Sequence, residues 1–473
     1  MPGFSPHRRA RALLVAALAS LVLCGGCARP RKATPPAAIF LIVVDTLRPD
    51  HLSCYGGAGH PSPAIDRLAA SGVRFERAQS VSSWTVPSMG AMLTSRYPTQ
   101  LGLIEQPPEQ GVRFDWREKR RQVRYTLPGG VPTLASLLDD AGYHPAAFVN
   151  QPFINAGDGF LHGFAEWCYT TGERTLEWHD FTRPMPTINF PAGTDLGTAD
   201  SLLVAEFARW LAANADRRPF VWLHLLTPHW PYTPPDRYLP GHEPRPTDPE
   251  PLYSAEVREA DDLVAAALAA IDARVGLERS LVILTSDHGE EFLDHGMYEH
   301  GHSLHREIIH VPLILAGPSL PAGKTVGACV RTVDLLPTIL ALAGADVPGP
   351  AGIGGVSLLP FLRGRAKDLP VYSEGMLYGS TKRSLIDHGY KLMIDVQTTP
   401  PYRLFDVSRD PLETLDLAPQ LPDRVARMRR ALAVERARFV TDYAALVGPG
   451  AVKNDPETQR VLRAMRALGY VSD

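Results

Sequence analysis

The segment LVILTSDHGEEFLDHGMYEHGH (281–302) sets Asp287 beside His288 at the end of an apolar run, with His295, His300 and His302 downstream. Five ligand-type side chains in so short a run would be costly to desolvate unless they held a cation. Packing alone does not call for them. Three other segments carry residues of the same kind. IVVDTLRPDH delivers Asp45 at the end of a second apolar run, where an aspartate taken alone is as readily a turn residue or helix cap as a ligand. WTVPSMGAMLTSRYP puts Thr85 just ahead of Pro87 and a run of good helix formers. Its hydroxyl would sit at a helix N-terminus, where backbone N–H groups favour an anion, although an ordinary N-cap threonine reads the same way. LHLLTPHWPYTPP adds His224, inside an apolar run, and His229 beyond it. Of the two, His224 is the one expected to be a satisfied core histidine.

These side chains need a scaffold that converges. AIFLIVVD (38–45), AAFVN (146–150), FVWLHLL (220–226), LVILTSD (281–287) and VPLILAG (311–317) read as buried strands. Helices lie between them. SPAIDRLAASG has Ser62 as N-cap, Pro63 at the first helical position and Gly72 past the end, and PTLASLLDDAGY repeats that design with Gly142. Further helices are expected near 197–214, 254–274 and 332–343. Such alternation predicts an α/β fold, a large mostly parallel sheet sandwiched by helices, with ligands bound beyond the carboxyl ends of the strands. Asp45, His229, Asp287 and His288 all fall at such ends. From about residue 365 the pattern changes. KRSLIDHGYKLMID and YRLFDVSRDP read as short antiparallel strands, followed by a long helix with basic clusters (421–441). We therefore expect a catalytic domain over 38–364 and a small C-terminal α+β subdomain over 365–473.

Taken together, VDTLRPDHLSCYG, the Pro87 segment, TPHWPY, TSDHGEE, HVPLILAGP and LFDVSRDPLE resemble the sulfatase family of the alkaline-phosphatase superfamily, over nearly all of the mature sequence. The resemblance implies a metal-dependent hydrolase of sulfate or phosphate esters. It implies metal ligands at Asp45, Asp287 and His288, and a nucleophile at Thr85 that also touches the metal. His229 and His300 would serve the leaving group or hold a second ion, and His302 would contact substrate. The departures are as informative. The family's Cys-x-Pro-x-Arg has Thr85 for the cysteine and Met89 for the arginine, so a formylglycine cannot form. Thr46 stands for a second aspartate and His288 for an asparagine, and VNQPFINAGDG offers no counterpart of the family's Lys-x-His. Imidazole favours zinc or manganese, one or two ions, over calcium or magnesium. A deprotonated threonine can attack phosphorus or sulfur, as the resemblance to lipoteichoic acid synthases, phosphoethanolamine transferases and nucleotide pyrophosphatases implies. Two alternatives stand beside the hydrolase. One is a phosphodiesterase or phosphoryl-group transferase. The other is a silent glycan-binding lipoprotein, against which the pairing of Asp287–His288 with Thr85 speaks.

The remaining features bound partners and location. The chain has 473 residues, and its 51 acidic and 48 basic residues leave a net charge of −3. No overall field draws it to nucleic acid, so an anionic ester, glycan or lipid-linked, must be recognised locally. Residues 1–26 read as a signal peptide: Arg8, Arg9 and Arg11 precede an apolar run, Ala12 to Leu23, shorter than the ~20 residues of a membrane span. Gly25 and Gly26 before Cys27 resemble a lipobox, and 27–37 reads as a Pro-rich linker. The expectation is an exported lipoprotein, periplasmic or at the outer membrane, anchored at Cys27; ordinary cleavage to a free secreted protein is the alternative. Cys54, Cys168 and Cys329 have no disulfide or metal spacing and read as buried thiols. The loop RFDWREKRRQVRY (113–125) carries Arg117, Lys119, Arg120 and Arg121, and is either simply solvated or a grip on an anionic substrate.

Overall fold

The strand Ala38–Val44 (β1) is buried along its whole length because its two faces enter two different cores. Ile39, Leu41 and Val43 join one apolar cluster, while Phe40, Ile42 and Val44 join the other. A two-residue side-chain period makes that division automatic. The structure, a computed structural model of the chain, describes residues 34–57, 59–104, 126–154, 156–170, 175–180, 188–189, 196–239, 241, 244–349, 353–364 and 367–447. The expected signal peptide, Cys27 and the basic loop 113–125 lie outside the described residues.

β1 is central to a sheet built with β2 (Val73–Gln79), β3 (His144–Val149), β4 (Glu166–Thr170), β5 (Thr175–Asp180), β6 (Ile188–Asn189), β7 (Pro219–Leu225) and β8 (Ser280–Thr285). After a small hairpin of β9 (Glu291–Phe292) and β10 (Tyr298–Glu299), β11 (His310–Ala316) and β12 (Lys324–Arg331) complete it. The order is β12-β2-β11-β8-β1-β7-β3-β4-β5-β6. The block β8-β1-β7-β3-β4 is parallel, as expected. The flanks make the sheet mixed: β11 runs antiparallel to both β8 and β2, and β4-β5-β6 is an antiparallel ribbon. VPLILAG therefore forms its strand in the opposite sense to the parallel block. The chain leaves the carboxyl end of β8, makes the β9–β10 hairpin and re-enters the sheet from that same end, so β11 must run back.

Helices α1 (Pro63–Ser71), α2 (Thr85–Thr94), α3 (Leu134–Asp140), α4 (Leu196–Asn214), α5 (Pro249–Arg274) and α6 (Leu335–Ala343) cover both faces. Met89 of α2, Leu134 of α3 and Ile339 of α6 pack in one core, and Ile65 of α1, Phe207 of α4 and Val264 of α5 pack in the other. Beyond them, β13 (Val371–Glu374), β14 (Lys382–Asp387), β15 (Tyr390–Asp395) and β16 (Tyr402–Asp406) form an antiparallel sheet. Helix α7 (Pro422–Val447) lays Val425, Met428, Leu432 and Phe439 against Leu385, Leu392 and Leu404 of that sheet.

The cap of α1 comes from outside the helix. Ser62 occupies the N-cap position but makes no capping bond; its hydroxyl instead donates to Asp66. The backbone N–H groups of Ala64 and Ile65 donate to the Asp261 carboxylate of α5, at 3.0 and 2.8 Å. Asp261→Ala should therefore cost about 1–2 kcal/mol, the usual worth of an N-cap. Urea unfolding measures it, and Ser62→Ala should cost less.

Candidate active site

Three strand ends and one helix start meet. Asp45 follows β1 directly, its N–H donating to the Leu225 carbonyl of β7 at 2.9 Å. Asp287 and His288 follow β8 after one intervening residue. Thr85 is the first residue of α2, with Trp84 rather than Thr85 at the N-cap position, so its hydroxyl is spared capping and turns into the site. All four are buried.

The protonation of one ring fixes what this cluster can hold. His288 Nδ1 lies 2.9 Å from the Gly289 carbonyl, which can only accept, so Nδ1 carries a hydrogen, and whenever the ring is neutral Nε2 presents a lone pair. That lone pair faces Thr85 Oγ1 at 3.2 Å, Asp287 Oδ2 at 3.4 Å and Asp45 Oδ1 at 3.5 Å. Asp45 Oδ1 and Asp287 Oδ2 make no hydrogen bond among the described residues. Two buried carboxylate oxygens and an imidazole lone pair pointing at one another repel unless a cation lies between them. Ligand atoms about 3.3 Å apart are what tetrahedral coordination at about 2.0–2.1 Å requires. Asp45, Asp287 and His288 thus form a possible metal-binding site, and it is the one such group among the described residues.

The ionisation pattern agrees. Burial raises Asp287, and the neighbouring Asp45 charge raises it further. Burial acts on Asp45 in the same sense but is outweighed by the hydrogen bond from His224 and the nearby His288 and His229, so its carboxyl is held below the usual range. One of the two carboxyls therefore resists ionisation until positive charge arrives.

Sequence reasoning missed Gln151. Its amide donates to Asp45 Oδ2 at 2.6 Å and to Thr85 Oγ1 at 3.1 Å, from the segment where a Lys-x-His counterpart was sought and not found. The signal was its place just beyond the AAFVN strand, at the same sheet edge as Asp45. His224 also departs from its expected bland role. It is fully buried, its Nε2 lies 3.4 Å from Asp45 Oδ2, and its Nδ1 has no partner among the described residues. It is a positioning neighbour of the site rather than a satisfied core histidine. Asp200 of α4 ties these elements together, accepting from Asn150 Nδ2 at 2.7 Å and from the backbone N–H groups of Leu226 and Thr227. Burial pushes its carboxyl up to about 6.

The downstream histidines divide. The rings of His288 and His300 are 4.3 Å apart and those of His300 and His229 are 5.0 Å apart, so both reach the site. His300 Nδ1 is held by Glu290 at 2.8 Å, and Tyr232 donates to the other oxygen of that carboxylate. Burial pushes His300 down to about 4 despite Glu290. Burial also disfavours charge on His229, but Asp45 and Glu290 outweigh it and raise its pKa. His302 pairs with Glu291 at 2.8 Å, and His295 stacks on His305 with ring centres 3.6 Å apart. Of the five groups expected to hold a cation, then, two enter the metal group and a third lies beside it. His295 and His302 have carboxylate partners of their own.

Thr46, at the place of a second aspartate, is fully buried with φ of 56°. A β-branched residue is strained there. Its Oγ1 makes no hydrogen bond among the described residues.

An α/β sheet edge carrying two carboxylates, an imidazole and a helix-borne hydroxyl around one point defines a metallohydrolase-type centre. The comparisons name the family. The profile described as Sulfatase matches residues 37–345, and that of N-sulphoglucosamine sulphohydrolase, C-terminal, matches 293–437. The chain belongs to the sulfatase family of ester hydrolases, in the alkaline-phosphatase superfamily. It is 32% identical to arylsulfatase K of Xenopus laevis over 205 residues, 40% of this chain and 37% of that protein. Its fold is similar to a protein solved with its substrate D-glucosamine-2-N,6-O-disulfate (TM-score 0.69, 19% identity, 86% of this chain and 98% of that one). It is also similar to the phosphonate monoester hydrolase of Agrobacterium radiobacter (TM-score 0.65, 18% identity, 86% and 96%).

Sulfatases are metal-dependent, and a bound ion at this site should appear in stability. Adding a divalent cation at about a hundred times its Kd should stabilise the protein by about 3 kcal/mol, and a chelator should reverse it. Asp287→Ala should abolish the response, because of the group Asp45, Asp287 and His288 only one carboxylate and one imidazole then remain. An undiminished thermal shift in that variant would mean that the ligands lie elsewhere.

Proposed function

We propose that this protein is an exported hydrolase that cleaves sulfate or phosphate esters through a covalent intermediate on Thr85. The observation that carries it is the position of Thr85 Oγ1, 3.2 Å from the His288 lone pair and 3.1 Å from the Gln151 amide. Asp45, Asp287, His288 and Thr85 would hold the ion, and the imidazole favours zinc or manganese, one or two ions, over calcium or magnesium. When bound, such a cation supplies the charge that eases deprotonation of a neighbouring hydroxyl and offsets the charge of the transferring group.

The chain's own residues do the rest. The Gln151 amide donates to Thr85 Oγ1 and so fixes the oxygen that attacks. The Thr85 proton passes toward Asp45 Oδ2, 3.5 Å away, as the Oγ1 bond to phosphorus or sulfur forms and the ester oxygen bond breaks. The departing alkoxide takes a proton from His229, the ring whose pKa is raised, with His300 beside it. Water then attacks the Thr85 ester, releasing the anion and restoring the hydroxyl. Glu290 holds His300 at the mouth, and His302 is proposed to contact substrate there. A threonine sulfate ester lacks the collapse to an aldehyde that a formylglycine hydrate uses, which favours phosphorus and admits phosphodiester cleavage or transfer to an acceptor alcohol as the second reading. The names of the structural relatives fit both esters: a sulfated glucosamine in one, phosphonate esters in the other.

Thr85→Ala should lower turnover about a thousandfold or more with fold and bound ion nearly intact, and Thr85→Ser should keep some activity. Brief turnover, acid quench and peptide mapping should place a phosphoryl or sulfuryl mass on Thr85. Full activity in Thr85→Ala would sink the mechanism. A panel of aryl sulfate, phosphate monoester, phosphodiester and phosphonate substrates decides the ester.

Export and a lipid anchor at Cys27, in the periplasm or at the outer membrane, complete the proposal, resting on the basic and apolar pattern of residues 8–23 and the Gly25-Gly26-Cys27 run. Cys27→Ala should move the protein from the membrane fraction to the soluble one. A wild-type protein found soluble, with no acyl mass at its N-terminus, would leave a free secreted enzyme.

A further inference from the structure

His295 has an acceptor at each ring nitrogen. Nδ1 lies 2.9 Å from Glu307 Oε1, and Nε2 lies 3.3 Å from the Glu413 carbonyl. A carboxylate and a carbonyl only accept, so both bonds together require a ring that carries two hydrogens and a positive charge. His305 covers the face of that ring, with centres 3.6 Å apart and planes 8° from parallel. His305 Nδ1 donates to Glu413 Oε2 at 2.8 Å, and the fully buried Lys391 of β15 donates to Glu413 Oε1 at 2.7 Å. His295 and Lys391 thus balance Glu307 and Glu413, which leaves His305 as the neutral member. The ionisation pattern agrees. Burial holds His305 down although Glu413 supports its charge. Burial also disfavours charge on His295, but Glu307 and Glu413 outweigh it and raise the pKa. Glu413 itself stands at a φ of 58°, a conformation that a residue other than glycine keeps only where its surroundings fix it.

This network leads to the site by two routes. His295 lies in the turn of the β9–β10 hairpin, and its backbone N–H donates at 2.9 Å to Glu291, whose other oxygen holds His302. Glu307 lies in the short helical turn Arg306–Ile309, where its carbonyl accepts from the Glu290 N–H at 3.2 Å. The next carbonyl, of Ile308, accepts from Gly289, directly after His288, at 2.6 Å. Glu290 in turn holds His300. We infer that His295 and Glu413 are positioning residues for the leaving-group side of the site, a charged brace through which the C-terminal region fixes His300 and His302. Among the described residues, the titratable groups facing His295 are Glu291 on its own hairpin, Glu307, His305, Glu413 and, behind Glu413, Lys391. The brace needs the charged ring. It is complete at about pH 6.5, the ordinary histidine value, and is lost as pH rises through the raised value in the fold, where one of the two donors disappears. The inference rests on the proposed function only for the roles of His300 and His302.

Rates of the full chain on 4-nitrophenyl phosphate and 4-nitrophenyl sulfate, followed across the histidine range and above it, test the brace. His295→Gln, which cannot carry the charge, should lower kcat/KM about tenfold at the acid end, the scale of one hydrogen bond to a charged group. The deficit should shrink at alkaline pH, where the wild-type ring is also neutral. His295→Arg, charged throughout, should match the wild type at the acid end and exceed it at the alkaline end. His229 contributes its own alkaline limb to every variant, so the ratio to wild type is what is read. No deficit, or one of the same size at every pH, would overturn the brace. A second readout needs no turnover and no variant at His295 that folds poorly. In histidine-ring NMR of the wild type, the His300 and His302 signals should shift in step with the titration of His295. Signals of His300 and His302 that ignore that titration would overturn the brace equally. A wild type that hydrolyses neither ester would count against the catalytic reading, while the NMR titration would still decide this one.

Discussion

Two buried carboxylates and an imidazole face one another with nothing of opposite charge between them among the described residues. A chain would not be expected to keep Asp45 Oδ1 and Asp287 Oδ2 unpartnered in its interior unless a cation met them. Most of the surrounding architecture serves to hold that unfavourable arrangement in place. β1 and β8 are adjacent parallel strands, so their carboxyl ends bring Asp45 and Asp287 to the same edge. The backbone carbonyl of Gly289 sets the His288 tautomer. The start of α2 brings a hydroxyl whose capping duty has been left undone.

Around that centre, further polar groups work by holding other polar groups. Asp200 grips the end of β3 through Asn150 and the turn after β7 through two backbone N–H groups, which sets the positions of both Gln151 and His229. Glu290 does the same for His300 and is itself held by Tyr232. Each is a buried network with its members satisfied, and such networks lend rigidity to a site that must be organised before substrate arrives.

The central strands were legible in the sequence because burial on both faces writes itself as an unbroken apolar run. β1 and β8 come close to such runs and lead into Asp45 and Asp287, while β7 is broken only by His224. β2 and β12 were not read. Both mix apolar with charged residues, since they lie toward one edge of the sheet, and VRFERAQ carries Arg74 half-buried and Glu76 and Arg77 exposed. The sense of β11 was also hidden, since VPLILAG reads the same in either direction and only the path of the preceding hairpin reverses it.

The sequence by itself determined the alternation of strands and helices, the resemblance to the sulfatase family, and the candidacy of Asp45, Thr85, Asp287 and His288. Each rests on residue type, periodicity or motif, all of which are local. Tertiary structure decided which of Asp287, His288, His295, His300 and His302 meet, that Gln151 joins them, and that His224 is more than packing. It also decided that Asp261 rather than Ser62 caps α1. Those facts depend on which atoms arrive within about 3.5 Å of one another across the sheet, the range of a hydrogen bond or a coordination edge. Residues some 40 to 240 positions apart carry no sequence mark of that approach.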